Sequence, residues 1–189
     1  LLLNRTAPDH FMGQFEPVNL TLLAKQAVVD YSAPLAQKNH QIEFNGDECW
    51  VMGDRAALAT LLNNLLGNAI KYTPANGIIV VNTWQRGKDV VLEVMDNGPG
   101  IPVAQQARVF DRFYRMGGDR HSSQTPGCGL GLSIVQQVVE LHAAHIALTQ
   151  SRFDQGLLVM VTFAACSLPD STTTFESAPS RVFHHEQNR

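Results

Sequence analysis

Residues 54–74 read DRAALATLLNNLLGNAIKYTP. Leu58, Leu61, Leu62, Leu65, Leu66, Ala69 and Ile70 recur at i, i+3, i+4, i+7, i+8, i+11 and i+12. That period is one apolar stripe of an α-helix, and it requires a core to pack on. Asp54 is placed to cap the first turn, because its carboxylate can accept from the free amides there. Pro74 ends the pattern. Asn64, Asn68, Lys71 and Tyr72 share a second face at i, i+4, i+7 and i+8. Asn64 lies roughly 200° around the helix from Leu62, so this face looks away from the apolar stripe. Asn is a poor helix former, and a plain solvated face would favour Glu and Lys. Two Asn, a Lys and a Tyr on one face read either as a solvated surface or as a ligand wall.

The rest of the composition narrows the class. The chain has 189 residues, 44% of them hydrophobic, with a formal net charge of −3. That suffices for one domain with a full core and some chain to spare. No basic surplus points to nucleic acid. No apolar run reaches the length of a membrane helix, and no signal peptide is visible. Cys49, Cys128 and Cys166 show no metal spacing and read as free thiols in a reducing compartment.

Outward from the helix, the chain divides into alternating patterns. Leu1 to Pro17 starts without a Met and reads as the end of a helix cut from a longer protein, followed by a linker. Asn19 can cap a helix running to about Lys38, with Pro34 as a kink or early end. Gln41–Asn45 alternates as a strand, Asn45-Gly46 is a turn signal, and Cys49–Met52 is a second short strand. Past the central helix, Ile78–Trp84 and Asp89–Met95 form a β-branched hairpin around Arg86-Gly87-Lys88. Val103–Phe110 reads as a short helix started by Pro102. Arg112–Pro126 is polar and without period, too long for an ordinary connection. A helix opened by Gly127-Cys128-Gly129-Leu130-Gly131 and running to about His142 follows, then a closing hairpin of His145–Ser151 and Leu157–Phe163. Ser167–Arg189 is rich in Ser, Thr and Pro and reads as a disordered tail.

Two glycine loops stand close to the asparagine helix in this order. Asp96-Asn97-Gly98-Pro99-Gly100 places a carboxylate at the mouth of a buried strand, with glycines that let a ligand approach the backbone. Alone it would be an ordinary turn. Gly127-Cys128-Gly129-Leu130-Gly131 opens a helix, whose free amides suit phosphate.

The ordered set NxxxNxxKY, DNGPGIP, VFDRFYR and GxGLGLSIV resembles the ATP-binding catalytic domain of sensor histidine kinases, in the superfamily of gyrase, heat-shock chaperone, histidine kinase and MutL ATPases. The resemblance spans about Leu20 to Phe163. Within the family it points to the group that pairs with OmpR-type response regulators, of PmrB and QseC type. It implies a two-layer α/β sandwich, with a mixed sheet of about five strands and three helices on one face. Residues 1–18 would be the end of a dimerisation helix and linker, 19–165 the catalytic domain, and 166–189 a tail.

The same resemblance implies roles for single residues. Asp96 would accept from the adenine amine, with Gly98, Gly100 and Ile101 around the base and Gly100 beside it. Tyr72 would stack near adenine. Asn68 would hold Mg²⁺ through its side-chain oxygen, a ligand suited to a hard cation. Asn64 and Lys71 would contact phosphates, and Arg115 and Arg120 would reach the terminal ones. Phe110 and Phe113 would anchor a mobile lid over Met116–Gln124. Thr125, Gly127, Gly129, Leu130, Gly131 and Leu132 would complete the nucleotide site. Hydrolytic members of the superfamily carry a Glu at the position of Asn64. Asn64 has no titratable group near neutral pH and cannot activate water. Transfer to a partner is therefore expected over hydrolysis.

The acceptor motif of a sensor kinase, HExxTP or similar, does not occur here. The expected partners are ATP, the protein's own dimerisation and histidine-phosphotransfer domain, and a response regulator. The expected setting is the cytoplasmic part of an inner-membrane sensor. The competing expectations are an ATP hydrolase of the same superfamily and a degenerate module that only senses ATP. Cys128 is read as a tolerated substitution between glycines, and the two Trp as hairpin packing.

Overall fold

The computed structural model describes residues 13–115 and 129–166. The expectations for residues 1–5, the lid, Arg120, Thr125, Gly127, Cys128 and the tail fall outside the described residues.

The chain begins with strand β1 (Phe15–Asn19), helices α1 (Leu20–Asp30) and α2 (Ser32–Gln37), and strands β2 (Gln41–Gly46) and β3 (Trp50–Asp54). The central helix is α3 (Arg55–Tyr72), followed by the hairpin β4 (Ile78–Arg86) and β5 (Asp89–Asp96). A short α4 (Val103–Gln106), then α5 (Gly131–Leu141), β6 (His145–Gln150) and β7 (Leu157–Ala164) complete it. The main sheet has five strands in the order β2-β4-β5-β7-β6. Its β2–β4 pair is parallel and the other pairs are antiparallel, so the sheet is mixed, as expected.

The core sits between this sheet and the helices. Every residue of the α3 stripe is buried, from Leu58 to Ile70. It meets alternate residues of the strands, Ile79 and Val81 of β4, Leu92 and Val94 of β5, and Val159 and Val161 of β7. The strand period of two puts each such set on one face. Val138 and Val139 of α5 and Leu20, Leu23 and Ala24 of α1 join the same cluster. Leu62 is fully buried in it. Leu62→Ala is expected to cost about 2–5 kcal/mol, from lost transfer energy and the cavity left behind. Urea unfolding would measure it, and a loss under about 1 kcal/mol would show that α3 does not carry the core.

Both side-chain caps read from the sequence are present. Asn19 Oδ1 accepts from the Leu22 amide at 2.8 Å, and Asp54 Oδ1 accepts from the Ala57 amide at 2.9 Å. The first helix has the early end that Pro34 offered as an alternative to a kink, stopping at Asp30, and Pro34 lies inside the short helix that follows. The physical cause is the proline ring, which collides with the carbonyl four residues earlier, that of Asp30, the last residue of α1. Other expectations need correction. The helix expected over 103–110 holds its α-helical form only over Val103–Gln106.

Asn45-Gly46 makes no hairpin. Gly46 lies inside β2 opposite Thr83, and an added Cβ there would strike Thr83 Oγ1. The chain is then drawn off the sheet at 47–49. Thr21 Oγ1 donates to the Asp47 carbonyl and accepts from the Cys49 amide, while the Leu20 amide donates to the Cys49 carbonyl. β3 therefore pairs with β1 in a separate two-stranded sheet, Phe15 opposite Asp54 and Asn19 opposite Trp50. Residues 15–19 are thereby tied to β3.

Candidate functional site

The asparagine face of α3 is only partly solvated, with Asn64, Asn68 and Lys71 half-buried. It closes on the first turn of α5. A Cβ added to Gly131 would stand 3.2 Å from Asn64 Oδ1 and 3.3 Å from both Asn68 side-chain termini. A side chain there would press on both asparagine amides, so glycine at the start of α5 lets the two helices meet without displacing them. Asn64 Nδ2 donates back to the Thr60 carbonyl at 2.8 Å, which orients its amide. The N-cap position of α5, Leu130, supplies no side-chain hydrogen bond to the helix. The amides of that first turn remain available to an anion, at the positive end of the helix dipole.

At the C-terminal end of α3, Lys71 Nζ donates to the Tyr72 hydroxyl at 3.0 Å and stands 4.6 Å from the ring centre. Tyr72 is 44% exposed, an open aromatic face beside a cation.

Asp96 ends β5 and is only 6% exposed. Its Oδ1 accepts from the Gly98 amide at 2.8 Å and from the Leu157 amide at 3.3 Å. Burial pushes the carboxyl above its usual range, and these two backbone bonds oppose that push. Ionising Asp96 thus costs more than ionising an exposed carboxyl, and a donor arriving from a ligand would offset part of that cost. The backbone around it is crowded. Gly156 has φ +134°, and a Cβ there would strike the Asp96 carbonyl. Gly100 has φ +70°, and its Cβ would approach the Gly156 carbonyl to 2.9 Å.

One cavity of about 560 Å³ joins these parts. That lies within the usual range for small-molecule sites. Of the residues predicted from sequence, Asn64, Asn68, Lys71, Tyr72, Asp96, Gly100, Ile101, Arg115, Gly129, Leu130, Gly131 and Leu132 all line it. Gly98 lies behind Asp96 and binds its carboxylate. Phe113 is 59% exposed and does not line the cavity. Its backbone instead clasps Gly129, with the Phe113 amide donating to the Gly129 carbonyl at 2.9 Å. Gly129 has φ +70°, and a Cβ there would stand 2.8 Å from the Tyr114 carbonyl.

Several lining residues carried no sequence signal. Tyr31 and Gly67 form one wall, the tyrosine hydroxyl donating to the Asn63 carbonyl at 3.1 Å and lying 3.3 Å from where a Gly67 Cβ would be. A glycine inside a helix was the available hint. Leu157 acts through its backbone amide, which no side-chain pattern reveals.

Among the described residues no group of three or more His, Cys, Asp or Glu could hold a metal ion. A cation in this cavity would be held by amide oxygen, as Asn68 carries, and by the ligand's own oxygens. Chemically, the cavity offers an acceptor for an amino group at Asp96 and uncapped backbone amides for negative charge at the start of α5.

Residues 53–169 match the family described as Histidine kinase-, DNA gyrase B-, and HSP90-like ATPase. The chain is 38% identical over 172 residues to the Sensor protein kinase PmrB of Pseudomonas aeruginosa, covering 91% of this chain and 35% of that protein. It is 36% identical over 141 residues to the Signal transduction histidine-protein kinase BaeS of Escherichia coli, covering 74% of this chain and 30% of that one. It thus spans about a third of the length of these curated relatives. Among solved structures, the mycobacterial sensor histidine kinase MprB superposes with a TM-score of 0.70 at 27% identity, over 82% of this chain and 99% of that one. A nucleotide-free form of the catalytic domain of histidine kinase ThkA gives 0.70 at 27% identity, over 80% of this chain and 97% of that one.

Proposed function

The chain belongs to the histidine kinase-, DNA gyrase B- and HSP90-like ATPase family, and from that premise we propose that it is the ATP-binding catalytic domain of a sensor histidine kinase. In this reading it passes the γ-phosphate of ATP to a histidine on its own dimerisation domain, for relay to a response regulator of OmpR type. The whole protein is a sensor at the inner membrane with this domain in the cytoplasm. No helix among the described residues is long and apolar enough to cross a membrane.

The observation that carries the proposal is the meeting of Asn64 and Asn68 with the uncapped start of α5, in the same cavity as the buried Asp96. Asp96 reads the adenine amine, with Gly98, Gly100 and Ile101 about the base and Tyr72 against it. Asn64, Lys71, Arg115 and Arg120 serve the phosphates, together with Thr125, Gly127, Gly129, Leu130, Gly131 and Leu132. Asn68 would hold Mg²⁺ through its amide oxygen, and the ion would neutralise phosphate charge. Phosphoryl transfer needs positioning and fixed positive potential more than covalent help, and this residue set supplies both.

The alternative within the family is ATP hydrolysis coupled to conformational change. Asn64 argues against it, since an amide cannot take a proton from water. The test is radiolabel transfer from ATP, with hydrolysis measured in parallel. The isolated chain is expected to bind ATP, turn it over slowly, and label its own dimerisation hairpin added in trans. Rapid hydrolysis with no labelled hairpin would move the protein to the hydrolase class.

A further inference from the structure

The last turn of α3 is held from outside the helix. Lys38, just before β2, donates from Nζ to the carbonyls of Ile70 at 2.7 Å, Lys71 at 2.9 Å and Thr73 at 3.2 Å. These three acceptors use all three ammonium protons. The C-cap of α3, Thr73, is extended at φ −70° and ψ 129°, so the helix lacks the left-handed closure that usually satisfies its final carbonyls. A cation brought by another element does that work, at the negative end of the helix dipole. The neighbours of Lys38 reinforce the clasp. Its carbonyl accepts from the Asn76 amide at 2.9 Å, Asn39 Nδ2 donates to Asn76 Oδ1 at 2.7 Å, and His40 Nε2 donates to the Pro74 carbonyl at 3.0 Å.

The turn so held ends in Lys71 and Tyr72, which line the cavity, whereas Lys38 does not. Lysine 71 offers its carbonyl to Lys38 and its side chain to Tyr72. Any fraying of this turn displaces a cation and an aromatic ring together. We infer that Lys38 is a positioning residue for nucleotide binding, its ammonium fixing the end of α3 so that Lys71 and Tyr72 meet the ligand already ordered. The inference rests on the ATP-site reading above. The entropy of ordering these two long side chains is then met before the ligand arrives, which favours affinity.

A purely structural cap would lower stability and leave the site's response to ligand unchanged, so the test separates the two. Lys38→Met keeps the stem and removes the donors. It is expected to weaken Mg²⁺·ATP binding about tenfold, and Lys38→Arg to recover to within about threefold of the parent. In a Lys71→Met, Tyr72→Ala background, Lys38→Met is expected to change affinity by less than about twofold. The same tenfold loss in that background, or no loss in the parent, would overturn the inference. Without nucleotide, exchange of the Thr73 amide, bonded to the Ala69 carbonyl at 2.9 Å, should quicken in Lys38→Met while amides at Leu61 and Leu62 stay protected. Unchanged Thr73 exchange would also overturn it. If Lys38→Met does not fold, Lys38→Gln, which retains one donor group, is measured against the same outcomes. A parent chain that fails to bind ATP would overturn the site reading and this inference together. A parent that binds normally, with Lys38 variants that match it, overturns the inference alone.

Discussion

Asp96→Asn is expected to lower ATP affinity on the order of 10²-fold or more, while leaving the fold intact. The asparagine oxygen can take the place of Oδ1 and keep the bonds from the Gly98 and Leu157 amides. Its NH₂ group then faces the cavity where the carboxylate accepted. An adenine amine meeting that NH₂ finds two donors opposed, and a buried polar group is left unpaired. The same substitution should stabilise the empty protein near neutral pH. Burial raises the folded carboxyl above its unfolded value, so the folded chain binds this proton more readily. The resulting stability is fully present below the unfolded value, about 3.9, and is lost as pH rises through the folded one. Asn carries no such charge, so the variant's advantage should grow as pH rises through that window and then level off. ATP binding by the parent should weaken as pH falls through the same window, because protonation removes the acceptor. Titration calorimetry and urea unfolding across pH measure both. Equal ATP affinity in parent and variant would remove Asp96 from the base site, and a variant less stable at pH 7 would contradict the burial argument.

Asn68→Ala is expected to cut phosphoryl transfer to the added hairpin about 10²–10³-fold, the scale of losing a group that stabilises moving charge. Nucleotide binding measured in chelator should change by less than about threefold. Alanine is a better helix former than asparagine by roughly 0.5 kcal/mol, so α3 itself should not suffer. The loss would come from the missing amide oxygen, which stands across from the start of α5, where Gly131 leaves room for both asparagines. Binding and transfer falling together, in chelator as well as in Mg²⁺, would mean that Asn68 positions the nucleotide and does not hold the cation.

The parts of this molecule that could be read from sequence are those whose causes lie close along the chain. The α3 stripe follows from spacing within one helix, and all of it is buried. The Asn19 and Asp54 caps bond three residues ahead. Asn64 and Asn68, Asp96, and Gly129 to Gly131 were legible because each belongs to a local helix face, carboxylate or glycine turn, and all of them line one cavity. Asn64 and Asn68 were legible as a face and not as an interface. Only packing against Gly131 turned that face into the wall of a cavity.

Tertiary structure decided what depends on distant partners. Gly46 looked like a turn, but its place is set by Thr83 in a parallel strand far along the chain. β1 was invisible because its partner β3 lies beyond two helices and β2, and a short exposed strand carries little pattern of its own. Leu157 contributes an amide, which every residue except proline possesses, so its bond to Asp96 depends on the register of β7 against β5. Lys38 is one cation in a polar loop until the fold brings it to carbonyls 32 to 35 residues away. Periodicity and capping are fixed by neighbours in sequence, whereas strand partners, backbone donors and long-range caps are fixed by which surfaces the core brings together.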